Sequence, residues 1–477
     1  MFELDDNQKD AIGLTFLLNH LIADSPYGAE EIKKITPFTQ DDISAVLECF
    51  DNIDKAISIE NTTDMDTLRQ LLMKFKNIRA CVAKLDTAKL NEIELFELKD
   101  FLLNFEKFYH VFNKLNTITK FINIHFTNLT AALDILDIQK RRIIPFSLED
   151  GFSEKLSHIR EKKSRLELAL RQEKDNAKRE AMQAKRLEIV VEEDAEEEIV
   201  MTTLCQKLRP FTAGIATNMN NLGKLDLTLA KARHAIEFNA VRPKINPHQL
   251  ILKNMSNPFV ESILSQEGKS FTKISLNLDT GITIITGANM GGKSVAIKTT
   301  VLNIMLCRLG LFVTATEAEI PLFDGICISL SDGQSITGGL STFGAEIKQL
   351  DAIVKNFCDK QLFLFIALDE FARGTNPQEG AIIVRAVARF LNNKNAISLM
   401  STHFDGVVPP GSTHYQVAGL KPNIKKEDVS AISDLMDYRL VKTESNALVP
   451  KDALSICKLM ELDSEIIAEI EKGFCNG

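Results

Sequence analysis

Gly281-Ile-Thr-Ile-Ile-Thr-Gly-Ala-Asn-Met-Gly-Gly-Lys-Ser-Val-Ala-Ile-Lys-Thr-Thr300 is the stretch on which the reading of this chain turns. Its β-branched run, Ile282 to Thr286, predicts a buried strand, and the apolar periodicity from Val295 through Leu309 predicts a helix. Between them lie Gly287, Ala288, Asn289, Met290, Gly291, Gly292, Lys293 and Ser294, with glycine, lysine and serine at the spacing of a phosphate-binding loop. Glycines let successive backbone N–H groups turn inward around a phosphate, and the start of a helix adds partial positive charge. On that reading Lys293 reaches the outer phosphates of a nucleotide, Ser294 completes a Mg²⁺ shell, and Val295 opens the helix beside them. A glycine-rich turn with no ligand is the bland alternative, and placement between a strand and a helix argues against it.

Matching chemistry lies downstream. Gln361-Leu-Phe-Leu-Phe-Ile-Ala-Leu-Asp-Glu370 reads as an apolar strand ending in two carboxylates. In a nucleotide-hydrolysing sheet Asp369 would face Mg²⁺ and Glu370 would orient the attacking water. A buried strand with a capping acid looks the same in isolation; the phosphate loop upstream separates the two. Thr337-Gly-Gly-Leu-Ser-Thr-Phe-Gly-Ala-Glu346 is a glycine-flanked Ser-Thr-Phe ahead of a helix, by itself no more than a cap. Arg373-Gly-Thr-Asn-Pro-Gln-Glu-Gly380 is a polar loop suited to sensing nucleotide state or touching another subunit. Ser401-Thr-His403 closes the strand Ala396 to Met400 and puts one imidazole at the carboxyl edge of the sheet. Alone, His403 reads as structural; in this company it reads as a switch beside a γ-phosphate.

Around this centre the chain divides by pattern. From Asp10 to about Ile144 apolar residues recur at helical spacing, as in Ile93-Glu-Leu-Phe-Glu-Leu-Lys-Asp-Phe-Leu-Leu103. His20, His110 and His125 stand singly there and read as core or surface residues. Phe152 to Arg186, rich in Glu, Lys, Arg, Ala and Leu, predicts a long solvated helix, one arm of an antiparallel coiled coil. Leu187 to Val200 reads as a strand-like run interrupted by acid, which places the six acids of Glu192 to Glu198 at the tip of a lever. Thr203 to Phe238 is the expected return arm. Two prolines in Val241-Arg-Pro-Lys-Ile-Asn-Pro247 mark a boundary. Beyond it the runs Ile274 to Leu278, Ile282 to Thr286, Ile326 to Leu330, Leu362 to Leu368 and Ala396 to Met400 alternate with helices, the signature of a parallel sheet. The expected fold class is α plus α/β: a helical core (1–150), a coiled-coil lever and clamp (151–240), an α/β domain (241–450) and a C-terminal helical pair (451–477).

Length and composition set the bounds. At 477 residues the chain accommodates two or three domains. No apolar run has the length of a membrane span, and Met-Phe-Glu-Leu-Asp-Asp at the start carries no basic leader, so a cytoplasmic protein with no membrane partner is expected. The eight cysteines are scattered, without a Cys-x-x-Cys pair, and read as reduced core residues. A net charge of −9 counts against an extensive duplex-DNA surface, though a local basic groove is compatible with it.

Thr286-Gly-Ala-Asn-Met-Gly-Gly-Lys-Ser294, Ser341-Thr-Phe343, Leu368-Asp-Glu-Phe-Ala-Arg-Gly-Thr375 and Ser401-Thr-His403 together resemble the MutS family of mismatch-repair ATPases. The Asn-Met-Gly-Gly-Lys-Ser core is far more specific than a generic phosphate loop. A weaker resemblance extends into the helical part through Leu225-Asp-Leu-Thr-Leu-Ala-Lys-Ala232. It implies an ABC-like ATPase domain joined to a helical core whose lever ends in a clamp. It also implies ATP and Mg²⁺ as cofactors, and a homodimer or paralogous heterodimer with composite sites. The segment from Gly287 to Val295 would bind nucleotide, Ser294 and Asp369 the metal, and Glu370 the water; His403 would be the switch, and Ser341 would reach the partner subunit's nucleotide. Val295 and Asn376-Pro377 depart from the usual Thr and Ser-Thr, as expected of a divergent branch. No stretch is expected to serve as a mismatch-reading or connector domain, nor as a nuclease tail. Two client classes follow. Mismatched or branched DNA is the family's usual substrate. A protein client, such as a cobalamin-dependent aminomutase in need of reactivation, is the alternative that an acidic tip would favour.

Overall fold

The computed structural model describes residues 3–144, 148–287, 292–330, 342–360, 362–421, 436–444, 454, 457–458 and 462–476. The chain forms two compact units, one of residues 1–21, 36–50 and 233–477, the other of residues 22–35 and 51–232.

The first unit contains ten described strands: β1 (Lys244–Ile245), β2 (Leu250–Met255), β3 (Ile274–Leu278), β4 (Gly281–Thr286), β5 (Glu317–Ile320), β6 (Gly325–Ser329), β7 (Leu364–Leu368), β8 (Ala396–Thr402), β9 (Thr413–Leu420) and β10 (Met436–Thr443). Six of them form a sheet in the order β10-β9-β4-β8-β7-β6, parallel from β9 through β6, with β10 antiparallel at the edge. Helices Lys293–Arg308, Thr342–Lys360 and Pro377–Asn392 lie between successive parallel strands, as parallel pairing requires. Strands covered on both faces read as continuous apolar runs: β4, β6, β7 and β8 are buried at every position. The chain leaves β4 for the far edge, returns through β7 to β8, and then crosses to β9 on the other side of β4. Strand order therefore reverses at β4, the position where open α/β sheets bind ligands at their carboxyl ends.

One strand of the expected parallel sheet belongs elsewhere. Ile274 to Leu278 is β3, which pairs antiparallel with β2 in a separate sheet of order β1-β5-β2-β3. Its burial alternates along the strand, which marks a sheet with one solvated face. At the chain's end Ser464–Asn476 is a helix, whereas most of the first C-terminal segment lies outside the described residues.

The second unit is helical. Its core is built on the helix Glu92–Thr119, opened by a capping box between Asn91 and Glu94. Phe101, Phe105, Phe108 and Phe112 recur at helical spacing on one buried face, with ring centroids of successive partners 5.9–6.0 Å apart. From this core an antiparallel helical hairpin extends, Glu154–Gln172 followed by Asn176–Leu208, with N-caps Ser153 and Asp175. Pairing of Ser153 with Glu196, of Arg160 with Glu193 and Glu197, and of Glu167 with Arg186 fixes its register.

This hairpin corrects the sequence reading. Leu187 to Val200 is no strand; it lies inside the second helix, where Ile189, Glu193, Glu196, Val200 and Leu204 form the buried face. Helix-forming Glu and Ala outweigh the five β-branched residues of this segment, which have no strand to pair with. The tip is Glu173-Lys174-Asp175, so the acids of Glu192 to Glu198 sit at the base of the hairpin. Lys155, Arg160 and Lys163 of the opposite helix pair with Glu193, Glu196 and Glu197 there.

Candidate functional site

The register of the parallel sheet assembles the site. Thr286 of β4 pairs with Thr402 of β8, and Leu368 of β7 with Met400, so the three strands end together. Gly287 leaves β4 at φ 150°, where an added Cβ would lie 3.0 Å from the Val417 side chain. Gly292 enters the next helix at φ 83°, and a Cβ there would lie 3.1 Å from Tyr438 Cδ1. Both positions need glycine for conformation and for room. Ala288, Asn289, Met290 and Gly291 lie outside the described residues, as does Ser341.

Lys293, the first residue of its helix, is 3 % exposed. Its Nζ donates to the Gly287 carbonyl at 2.8 Å and stands 3.5 Å from Glu370 Oε1. Burial holds its pKa below the usual lysine value, against the opposing pull of Glu370. Asp369 and Glu370 follow β7 and are 2 % and 8 % exposed. Arg373 donates to Glu370 Oε2 at 2.8 Å, so the carboxylate spans a buried lysine and an arginine at the surface. Glu370 and Ala372 both adopt left-handed backbone, at φ 48° and 63°. Such residues are costly unless their surroundings enforce them, and they concentrate at functional sites. Two side chains supply that enforcement: Ser401 Oγ accepts the Glu370 N–H at 2.9 Å, and Glu346 Oε2 accepts the Ala372 N–H at 2.9 Å.

His403 follows β8 directly, half-buried, its ring centroid 4.2 Å from that of Phe404. Its buried Nδ1 has no hydrogen-bond partner among the described residues. Burial pushes its pKa below 6.5; Glu370 opposes this, while Lys293 and Arg373 add to it. The expected switch residue is thus electrostatically coupled to the lysine and the carboxylate. A second histidine, His414 of β9, bonds Thr286 Oγ1 at 2.8 Å through Nε2 and the Glu444 carbonyl at 2.9 Å through Nδ1.

A cavity of about 650 Å³ opens beside these groups. Gly292, Lys293, Ser294, Val295 and Glu370 line one part of it, and Val260, Leu264, Phe271, Ile274, Met436 and Tyr438 give another part an apolar wall. Cationic and hydroxyl groups beside an apolar compartment suit a nucleotide, phosphates at one end and base at the other. Among the described residues no cluster of three or more His, Cys, Asp or Glu is built to hold a metal. Asp369 and the Ser294 hydroxyl are hard oxygen donors, a set that fits Mg²⁺ when phosphates and water complete its shell.

Several of these contributors were not visible in the sequence. Tyr438 and Met436 come from an antiparallel edge strand that no pattern foretells, and Ser401 stands in the Ser401-Thr-His403 motif with no sign of its bonds to Asp369 and Glu370. Glu346 ends the glycine-flanked Ser-Thr-Phe stretch, and nothing in that spacing points to the Ala372 N–H.

Residues 283–473 match the family described as MutS domain V. Among curated proteins the chain is 35% identical over 215 residues to Endonuclease MutS2 of Caldicellulosiruptor bescii, covering 45% of this chain and 26% of the relative. It is 32% identical over 251 residues to Endonuclease MutS2 of Finegoldia magna, 50% of this chain and 31% of the relative. Against Endonuclease MutS2 of Pediococcus pentosaceus it is 29% identical over 282 residues, 58% of this chain and 34% of the relative. The matches thus take in about a quarter to a third of these relatives' length. The phosphate loop leading from β4 and the paired carboxylates following β7 both fall within the segment matched by the family, so residues 283–473 form a MutS domain V.

Proposed function

We propose that this chain is a Mg²⁺-dependent ATPase that works as a dimer, its hydrolysis cycle opening and closing a helical lever and clamp around mismatched or branched DNA. The observation that carries the ATPase reading is the cluster of Lys293, Asp369 and Glu370 where strand order reverses, with Lys293 and Glu370 facing a nucleotide-sized cavity. Lys293, buried beside Glu370, would exchange its Gly287 carbonyl and Glu370 contacts for the phosphates. Glu370 would then be released to accept a proton from the attacking water. Ser294 and Asp369 would hold Mg²⁺, whose charge stabilises the phosphoryl oxygens during transfer. His403 would sense the outer phosphate, and Ser341 would reach the site of a second subunit.

The DNA part of this reading is supported by the hairpin. Residues 162–187, its tip-ward half, carry nine lysines and arginines against four acids in a chain of net charge −9. Excess positive charge at the end of an extended arm suits a phosphate backbone. The acidic run that favoured a protein client lies at the hairpin base, in ion pairs, so that alternative keeps only the net charge of −9 in its favour. Among the described residues no helix is long and apolar enough to cross a membrane.

The reading is tested with Glu370→Gln. ATP binding should persist while turnover falls by about 10²–10⁴, the usual contribution of a positioned base. Unaltered turnover contradicts the assignment.

A further inference from the structure

Ser401 ends inside the sheet, 0 % exposed, paired with Ile285 of β4 and one residue beyond the last pairing of β8 with β7. A hydroxyl so placed has one hydrogen to give and lone pairs to receive. Both capacities are used on consecutive residues: Ser401 Oγ accepts the Glu370 N–H at 2.9 Å and donates to Asp369 Oδ1 at 2.7 Å. The first bond satisfies the buried amide of a residue at φ 48°, at the point where β7 gives way to the left-handed turn. The second fixes the plane of the Asp369 carboxylate. Asp369 N–H is already committed to the Ser329 carbonyl at 2.9 Å, so the backbone at this point is held from both neighbouring strands.

We propose that Ser401 is the positioning residue of the hydrolytic site, one buried hydroxyl that sets the direction of the metal carboxylate and of the water-orienting carboxylate together. The inference rests on the ATPase reading above. Ser401 is bonded to both residues, through the Glu370 N–H and Asp369 Oδ1. Only a group that donates and accepts at once serves here. Alanine leaves the Glu370 N–H and Asp369 Oδ1 without this partner, and threonine preserves both bonds in a residue at home in a strand.

The test uses the full chain as wild type, Ser401→Ala and Ser401→Thr, with ATP turnover titrated against Mg²⁺, ADP binding in EDTA, and thermal melting. Ser401→Ala should lower turnover and raise the Mg²⁺ concentration for half-maximal rate by about 10- to 100-fold, the usual consequence of losing a residue that orients a metal ligand. ADP binding without metal should stay near wild type, the melting temperature should fall by no more than a few degrees, about what the loss of one buried hydroxyl's bonds costs, and Ser401→Thr should restore turnover. Wild-type rate and Mg²⁺ dependence in Ser401→Ala would overturn the proposal. So would a threonine variant as impaired as alanine, or a loss of ADP binding and melting temperature in step with turnover, which marks a packing role. A wild-type chain without ATP turnover removes the ATPase reading itself; a hydrolysing wild type with an unaffected alanine variant removes only the role of Ser401.

Discussion

Glu370 sits in left-handed backbone with its carboxylate between Lys293 and Arg373, and neither fact is written in the sequence. Asp369-Glu370 at the end of an apolar run points to a type of chemistry only in company with the phosphate loop upstream, since a buried strand with a capping acid looks the same in isolation. The backbone strain at Glu370 depends on groups from two other elements, Ser401 and Glu346, and a local reading has no access to such contacts. His403 offers a titration test at the same scale. Its folded pKa lies below the ordinary 6.5 because burial disfavours the imidazolium. Between the folded value and 6.5 the unfolded chain binds more protons, so this residue makes stability fall as pH drops below about 6.5. His403→Asn should flatten that part of the stability profile, measured by urea unfolding from pH 7.5 to 5. An unchanged slope would show that His403 titrates as it does in water. Gly292→Ala should cost about 1–2 kcal/mol from left-handed backbone alone, read as a lower urea midpoint.

At the scale of elements, continuous apolar runs are legible in the sequence and mixed ones are not. β4, β7 and β8 were found because strands buried on both faces stay apolar throughout, whereas β9 and β10 mix polar and apolar positions. The hairpin shows the opposite failure. The expected first arm, Phe152 to Arg186, runs across the real turn into the second helix, and the expected return arm, Thr203 to Phe238, is largely the separate helix Thr212–Glu237; Ile189-Val190-Val191 resembles a strand, and Glu173-Lys174-Asp175 lacks the Gly or Pro that would mark the turn. Charge decided the outcome: acids 193, 196 and 197 find Arg160, Lys163 and Lys155 only if the chain reverses near residue 174. Arg160 is the centre of that network, bonded to Glu193 at 3.1 Å and Glu197 at 2.8 Å with its side chain 18 % exposed. Arg160→Ala should destabilise the hairpin by about 1.5–3 kcal/mol, seen in denaturant unfolding followed by circular dichroism. A change below about 0.5 kcal/mol would reduce the network to the level of ordinary surface pairs.

At the scale of the whole molecule, net charge was a poor guide. The total of −9 conceals a hairpin whose tip-ward half is basic and whose base is acidic, and only the position of the turn separates the two. Lys178→Ala and Arg179→Ala should each weaken duplex binding across sequences and each lower the salt slope by about one. Neutralising Glu192 and Asp194 near the base should leave that slope unchanged. The match to MutS domain V is confined to residues 283–473, and the charge separation along the hairpin lies outside it.

The most direct test of the whole account measures binding of labelled homoduplex, mismatched and branched DNA to the Glu370→Gln protein, with ADP and with ATP, over a salt series. The account predicts binding to mismatched or branched DNA that differs between the two nucleotides and falls steeply as salt rises. Absence of binding at low salt with either nucleotide would contradict it.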